Sequence, residues 1–129
     1  MQEDRTRPFK YLVVDDSEFA RRTLIKVLAT IGGTLVGEAS SGLDAVHKYK
    51  SLKPDIVFMD ITMPGVEGID ALEMIIAEDR AAKVVMVSSL NYQALVDDAL
   101  KKGAKHFITK PVQNAPLAEI VRTVLTKQD

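Results

Sequence analysis

The chain of 129 residues has no cysteine and no tryptophan, and aromatic residues make up only 5% of it. The absence of cysteine excludes disulfide bonds, catalysis by a thiolate and metal sites with cysteine ligands. Its apolar runs fall far short of the roughly 20 residues that a membrane-spanning helix needs. The first eight residues lack the apolar stretch of a secretory signal peptide. We therefore expect a cytoplasmic protein that does not insert into membranes.

The chain also lacks an excess of charge, since 17 basic and 18 acidic residues give a net charge of −1. No basic stripe is evident, so direct binding of nucleic acid is not expected. Neither GxGxxG nor a Walker A sequence occurs, which disfavours nucleotide-dependent enzymes. With 47% hydrophobic and 27% charged residues, the composition is that of a globular domain. We expect one domain over residues 9–125, a short tail at 1–8 and a frayed end at 126–129.

Short apolar runs alternate with longer amphipathic stretches along the chain. The apolar runs predict strands at 11–14, 35–39, 56–60, 83–88 and 105–109. The amphipathic stretches predict helices at 17–31, 41–52, 69–76, 91–102 and 117–125. Ser41 and Asn91 are suited to cap the second and fourth helices, and Gly103 is suited to end the fourth. This alternation predicts an α/β fold with a parallel sheet covered by helices on both faces.

Polar side chains follow four of these strands at their carboxyl ends, where ligands of such sheets bind. The first strand is followed by Asp15 and Asp16, the third ends in Asp60, the fourth in Ser88, and the fifth leads into Lys110. Three neighbouring carboxylates repel one another unless one is protonated or a cation lies between them. Oxygen ligands of this kind favour Mg²⁺. Together with a lysine and a hydroxyl, they predict an electrostatic clamp for a phosphoryl group.

Each of these residues also has an ordinary structural explanation when it is taken singly. Paired acids after a strand are common at helix N-termini, where aspartate is favoured. A single aspartate after a strand is a usual turn residue, and a single lysine is usually a surface residue. Only their joint placement at one edge of the sheet points to phosphoryl chemistry.

Four segments carry a resemblance to a known family: VVDDS at 13–17, DIVFMDITMPGVEG at 55–68, VMVSS at 85–89 and ITKP at 108–111. In this order and spacing they resemble the receiver domain of two-component response regulators, and most closely its single-domain chemotaxis members. The similarity spans about residues 9–125. It implies a (βα)5 flavodoxin-like three-layer sandwich whose central parallel sheet has the strand order 2-1-3-4-5.

The resemblance also implies a role for each acid. Asp60 corresponds to the aspartate that accepts the phosphoryl group. Asp16 corresponds to the acid that binds Mg²⁺ directly, and Asp15 to the acid that acts through water. The backbone carbonyl of Thr62 is expected to complete the protein ligands of the metal.

The remaining positions of the family pattern are occupied as well. Ser88 and Lys110 correspond to the residues that hold the phosphoryl oxygens, and the bond from Lys110 to Pro111 is expected to be cis. Phe107 occupies the aromatic switch position, which is equally compatible with a fixed core residue. The change on phosphorylation is expected at the face formed by the fourth helix, the fifth strand and the fifth helix.

The resemblance implies a phosphorylation-activated signalling protein, with autocatalytic phosphotransfer and dephosphorylation, rather than an enzyme. Expected partners are a sensor histidine kinase or phosphotransfer protein, a flagellar-motor switch protein or another effector, and a phosphatase. We expect a monomer, with a phosphorylation-dependent dimer as the alternative. A receiver domain of a larger regulator, with a DNA-binding or methylesterase output domain, is the main rival. A haloacid-dehalogenase phosphatase is disfavoured because that family needs an acid where Thr62 stands.

Overall fold

The computed structural model describes residues 8–61, 68–90 and 92–126. Strands and helices alternate along the whole described chain. The strands are β1 (Phe9–Val14), β2 (Gly33–Ala39), β3 (Ile56–Asp60), β4 (Val84–Ser88) and β5 (His106–Thr109). The helices are α1 (Glu18–Ala29), α2 (Gly42–Leu52), α3 (Gly68–Glu78), α4 (Gln93–Lys101) and α5 (Asn114–Thr126). None of these helices is both long and apolar enough to cross a bilayer.

The five strands form one parallel sheet in the order β2-β1-β3-β4-β5. This confirms the fold class and strand order predicted from the sequence. The order reverses direction between β1 and β3, so the carboxyl ends of these two strands flank the switch point at which ligands of such sheets bind.

Each face of the sheet buries its own hydrophobic cluster, because successive side chains of a strand point to opposite faces. On β3, Val57 and Met59 face one cluster, whereas Ile56 and Phe58 face the other. Helices α2, α3 and α4 cover the first cluster, and α1 and α5 cover the second. The result is a three-layer sandwich in which the central strands are buried on both faces.

Ser41 and Gly103 lie at the helix ends that the sequence predicted, and Ser17 in addition caps α1. The hydroxyl oxygens of Ser17 and Ser41 accept hydrogen bonds at the first turns of α1 and α2, and Gly103 has the expected positive φ of 117° after α4. The predicted cap of α4, Asn91, lies outside the described residues. The residue at the N-cap is Tyr92, one position later than predicted, and its side chain makes no capping hydrogen bond.

The starts of β2 and α5 also differ from the predicted ones. Strand β2 begins at Gly33, two residues before its predicted start, because Gly33 pairs with Phe9 at the start of β1. Helix α5 begins at Asn114 rather than at 117. Pro116 lies in its first turn, where a missing backbone N–H costs no helical hydrogen bond.

Candidate functional site

The ends of β1 and β3 bring the three predicted acids together. Carboxylate oxygens of Asp15, Asp16 and Asp60 all lie within 4.8 Å of one another. Asp15 is buried, Asp60 is partly buried and Asp16 is exposed. The three side chains therefore form a single cluster that opens to solvent on the side of Asp16.

The Asp15 side chain is held at both carboxylate oxygens. Its Oδ1 accepts a hydrogen bond from the backbone N–H of Ser17 at 2.9 Å, and its Oδ2 accepts one from Lys110 Nζ at 2.9 Å. Its own N–H donates to the carbonyl oxygen of Ala39 at 3.0 Å. Asp15 is therefore a fixed element of the cluster, and the exposed Asp16 is the acid most open to a new ligand.

Lys110 reaches across the sheet edge from the end of β5. Its Nζ lies 2.9 Å from Asp15 Oδ2 and 3.8 Å from Asp60 Oδ1. Lys110 thus lies near both carboxylates, but its hydrogen bond is made to Asp15. The Lys110–Pro111 peptide bond is cis, as the resemblance implied.

The ionised form of Asp60 is disfavoured in this cluster. Burial, followed by the nearby Asp15 charge, raises the pKa of Asp60 from 3.8 to about 6, while Lys110 and the Ile61 N–H act in the opposite direction. The charged form of Asp60 is therefore only partly compensated by Lys110. A cation between the acids would remove the remaining repulsion.

The carboxylates of Asp15, Asp16 and Asp60 suit Mg²⁺, because their mutual repulsion favours a cation and because their oxygens are the ligands that Mg²⁺ binds. All three side chains present hard carboxylate oxygens, which Mg²⁺ prefers, and the exposed Asp16 leaves room for the waters that Mg²⁺ retains. The fourth predicted ligand, the carbonyl of Thr62, lies outside the described residues.

Ser88 is buried at the end of β4, beside Lys110. Its Oγ accepts a hydrogen bond from the N–H of Leu90 at 3.0 Å, which leaves its O–H free to donate. The Ser88 carbonyl oxygen accepts a hydrogen bond from the Lys110 N–H at 2.9 Å, so the ends of β4 and β5 are joined directly. Phe107 pairs with Met86 further back on these strands and packs, half-buried, against the first hydrophobic cluster.

Gly68 fixes where α3 begins relative to Asp60. Its N–H donates to the Ile61 carbonyl oxygen at 2.7 Å. A Cβ at this position would lie 2.1 Å from the Asp60 carbonyl oxygen and 2.7 Å from the Ile61 Cα, both of which are backbone atoms. Any side chain at residue 68 would consequently displace the backbone that carries Asp60.

The sequence analysis missed Arg21, which contacts the cluster, and Glu38, which binds Arg21. Arg21 of α1 donates from Nη1 to the Asp15 carbonyl oxygen at 2.7 Å and from Nε to Glu38 Oε1 at 2.8 Å. The opposite charges of Arg21 and Glu38 could have predicted this contact only if α1 and β2 had already been known to be neighbours.

Comparison with known proteins shows the family to which this chain belongs. The response regulator receiver domain model matches residues 11–122. The chain belongs to this family. It is 46% identical over 115 residues to the chemotaxis protein CheY of Thermotoga maritima, covering 89% of this chain and 96% of that protein.

Two solved receiver structures are closely similar. The crystal structure of the CheX-CheY-BeF3-Mg²⁺ complex of Borrelia burgdorferi contains a chain with a TM-score of 0.89 and 42% identity, covering 93% of this chain and 91% of that one. The response regulator domain of Thermotoga maritima CheB has a TM-score of 0.87 and 38% identity, covering 95% and 100%. The protein is thus a receiver domain of the chemotaxis type, a class of phosphorylation-dependent signalling proteins rather than enzymes in the usual sense.

Proposed function

We propose that Asp60 accepts a phosphoryl group from a phosphohistidine of a sensor histidine kinase or a phosphotransfer protein. The observation that carries the proposal is the convergence of three carboxylates and one lysine at the carboxyl ends of β1, β3 and β5. Asp60 is the last residue of the buried strand β3, and it remains partly accessible to solvent. A rigid strand end is a suitable support for a nucleophile, because it fixes the direction of attack.

The chemistry needs little more than placement and charge. An Asp60 carboxylate oxygen forms the new bond to phosphorus while the bond from phosphorus to the imidazole nitrogen breaks, and the product is an acyl phosphate. Lys110 supplies a positive charge and Ser88 a free O–H donor for the phosphoryl oxygens. Because the receiver itself holds these groups, phosphotransfer and later hydrolysis proceed at its own site.

Asp16 and Asp60 would bind Mg²⁺ directly, Asp15 through water, and the Thr62 carbonyl would complete the protein ligands. When bound, Mg²⁺ neutralises the charge that collects between the carboxylates and the phosphoryl oxygens. These separate roles are supported by the two hydrogen bonds that already hold the Asp15 carboxylate and by the exposure of Asp16 to solvent.

A donor can reach Asp60 past an apolar groove of about 380 Å³ between α1 and the segment after β5. Phe19 lines this groove and is 80% exposed. A cytoplasmic location is part of the same proposal, since histidine kinases phosphorylate their partners in that compartment.

The signal would leave through the face formed by α4, β5 and α5. Ser88 and Lys110 would follow the phosphoryl charge, and Phe107 would then change its packing between β4 and α4. Only the phosphorylated arrangement gains these contacts, and this difference in free energy shifts the population. We propose a flagellar-motor switch protein as the reader of this face, and a phosphatase as a further partner, since the Borrelia relative forms a complex with CheX.

A receiver domain belonging to a larger regulator is the second candidate. The similarity to the response regulator domain of CheB favours it. Both candidates use the same site, and they differ only in what the output face contacts.

Lys110→Ala tests the coupling step. We expect the variant to bind beryllofluoride with Mg²⁺, because the carboxylates remain, but to lose most of the amide chemical-shift change in residues 92–109. The measurement is a pair of nitrogen–proton spectra for each protein, with and without beryllofluoride. Lys26→Ala, which removes an exposed lysine from α1 and lies outside the monitored segment, is the matched control and should respond like the wild type.

Two results would contradict this account. Wild-type protein whose shifts stay confined to the immediate surroundings of Asp60 would exclude signalling through the α4-β5-α5 face. A Lys110→Ala variant whose distant shifts equal those of the wild type would remove Lys110 from the coupling.

A further inference from the structure

Arg21 holds the backbone between the two acids of the β1–α1 connection. Its Nη1 donates to the carbonyl oxygen of Asp15 at 2.7 Å, although Arg21 lies six residues further along the chain. The N–H of Asp15 is held by β2, because it donates a hydrogen bond to the carbonyl oxygen of Ala39 at 3.0 Å. Both backbone groups of Asp15 are therefore occupied by partners outside the connection.

The Asp15 carbonyl belongs to the planar peptide unit that continues into the nitrogen of Asp16. Fixing the direction of this carbonyl fixes the plane, since a peptide bond does not rotate at ordinary temperatures. The plane in turn restricts the direction in which the Asp16 side chain leaves the backbone. Arg21 touches neither Asp16 nor Asp60 through a described hydrogen bond or ion pair, so any effect on Asp16 passes through this peptide.

Glu38 fixes the arginine itself. Its Oε1 accepts from Arg21 Nε at 2.8 Å, and the two side chains are only 16% and 28% exposed. One guanidinium fork thus spans a carboxylate of β2 and a carbonyl at the end of β1, a geometry that a lysine ammonium cannot reproduce with the same rigidity. The backbone of Glu38 is tied down as well, because its carbonyl accepts a hydrogen bond from Lys48 Nζ.

We propose that Arg21, oriented by Glu38, is a positioning residue that sets the Asp15–Asp16 peptide for Mg²⁺ binding. This inference rests on the proposed function, because it concerns the metal ligands of the same site. Partners one step removed from a metal commonly change its affinity by about 10- to 100-fold when they are lost.

The sign of the effect separates positioning from plain electrostatics. Arg21 is a cation near a cation site, so the removal of its charge should tighten Mg²⁺ binding if only through-space charge mattered. Loss of the hydrogen bond to Asp15 should instead weaken Mg²⁺ binding, because Asp16 would no longer be held in place. The two explanations predict opposite changes in the dissociation constant.

The experiment titrates Mg²⁺ alone into the full chain and follows amide chemical shifts of the site. Arg21→Gln should raise the Mg²⁺ dissociation constant by roughly tenfold, the lower end for such partners. Arg21→Lys, which keeps the charge and loses the fork, should also weaken binding, but by less than the roughly tenfold expected for Arg21→Gln. Arg22→Gln is the matched control. Arg22 is the next residue of α1, and its ion pair with Glu18 is long, at 3.5 Å, and exposed.

Glu38→Gln adds a test that leaves Arg21 in place. If Glu38 acts by orienting Arg21, the variant that combines Arg21→Gln with Glu38→Gln should bind Mg²⁺ no more weakly than Arg21→Gln alone. The effects of two residues that act as one unit are not additive. Urea unfolding of each variant shows whether the fold persists. Should Arg21→Gln fail to fold, Arg21→Lys, which keeps the charge, still measures the effect of positioning on Mg²⁺ binding.

The outcomes distinguish this inference from the proposed function. Wild-type protein that does not bind Mg²⁺ would refute the metal site itself. Wild-type binding together with equal or tighter binding by Arg21→Gln and Arg21→Lys would overturn only the positioning role. Equal weakening by Arg22→Gln would also overturn it, since the effect would then come from a general disturbance of α1 and not from the hydrogen bond to Asp15.

Discussion

Replacing Asp16 with asparagine should weaken Mg²⁺ binding by roughly tenfold or more, because a charged oxygen ligand is lost from a small set. Asp16 is the exposed member of a cluster whose oxygens lie within 4.8 Å of one another. The fold should persist, since the Asp16 side chain is not part of either hydrophobic cluster. Titration of Mg²⁺ followed by amide chemical shifts measures the effect, and it suits a chain that has no tryptophan for fluorescence.

Asp97→Asn is the matched control for this change. It removes the same charge from the exposed surface of α4, where Asp97 accepts a hydrogen bond from Gln93 that asparagine can retain. The control should bind Mg²⁺ like the wild type. If the two variants have the same affinity as each other, Asp16 is not a metal ligand.

Replacing Asp60 with asparagine should stabilise the metal-free fold at neutral pH. The pKa of Asp60 is raised from 3.8 to about 6 by burial and by the charge of Asp15, and its side chain is only 12% exposed. At about 1.4 kcal/mol per pKa unit, the ionised form costs about 2–3 kcal/mol. This shift already includes the opposing attraction of Lys110. After allowance for solvent screening of a partly exposed cluster, we expect a net gain in unfolding free energy of about 1–2 kcal/mol.

The pH dependence has a definite sign. Between about pH 4 and pH 6 the folded chain binds more protons at Asp60 than the unfolded chain does. The wild type should therefore lose stability as the pH rises through this range, whereas Asp60→Asn should lose less. Urea unfolding followed by circular dichroism at both ends of the range measures this difference.

Glu119→Gln, an exposed charge change on α5, is the control and should not alter the pH dependence. Saturating Mg²⁺ should reverse the order of stability at neutral pH, because only the wild type retains all three carboxylates to bind it. A destabilised Asp60→Asn variant without metal at neutral pH would contradict the electrostatic description of the cluster.

The sequence pattern was sufficient to predict a parallel sheet and the acids that meet at its edge, whereas the strand order came from the resemblance to the receiver family. Unbroken apolar runs mark strands buried on both faces, and parallel strands place their carboxyl ends on one side. Once Asp15, Asp16 and Asp60 are assigned to such ends, their proximity follows from the fold. Lys110 can reach towards Asp60 because only β4 lies between β3 and β5, a separation of roughly 10 Å at about 4.8 Å per strand.

What the sequence could not predict depends on the paths of individual side chains. Lys110 hydrogen-bonds Asp15 rather than Asp60, a choice between two carboxylates that a strand pattern does not encode. Arg21 and Glu38 meet only because α1 packs beside β2, and an isolated arginine in a helix resembles any surface charge. The start of α4 was placed one residue early because Asn91 is a better capping residue than Tyr92.

The most direct test of the central claim is to locate the phosphoryl group. Incubation with phosphoramidate and Mg²⁺, followed by intact-mass analysis and peptide mapping, should show one alkali-labile phosphoryl group per chain on the peptide that contains Asp60. Labelling should vanish in Asp60→Asn and when Mg²⁺ is chelated. Equal labelling of Asp60→Asn at another residue, or labelling of the wild type that is independent of Mg²⁺, would contradict the assignment of Asp60 as the phosphoacceptor of a magnesium site.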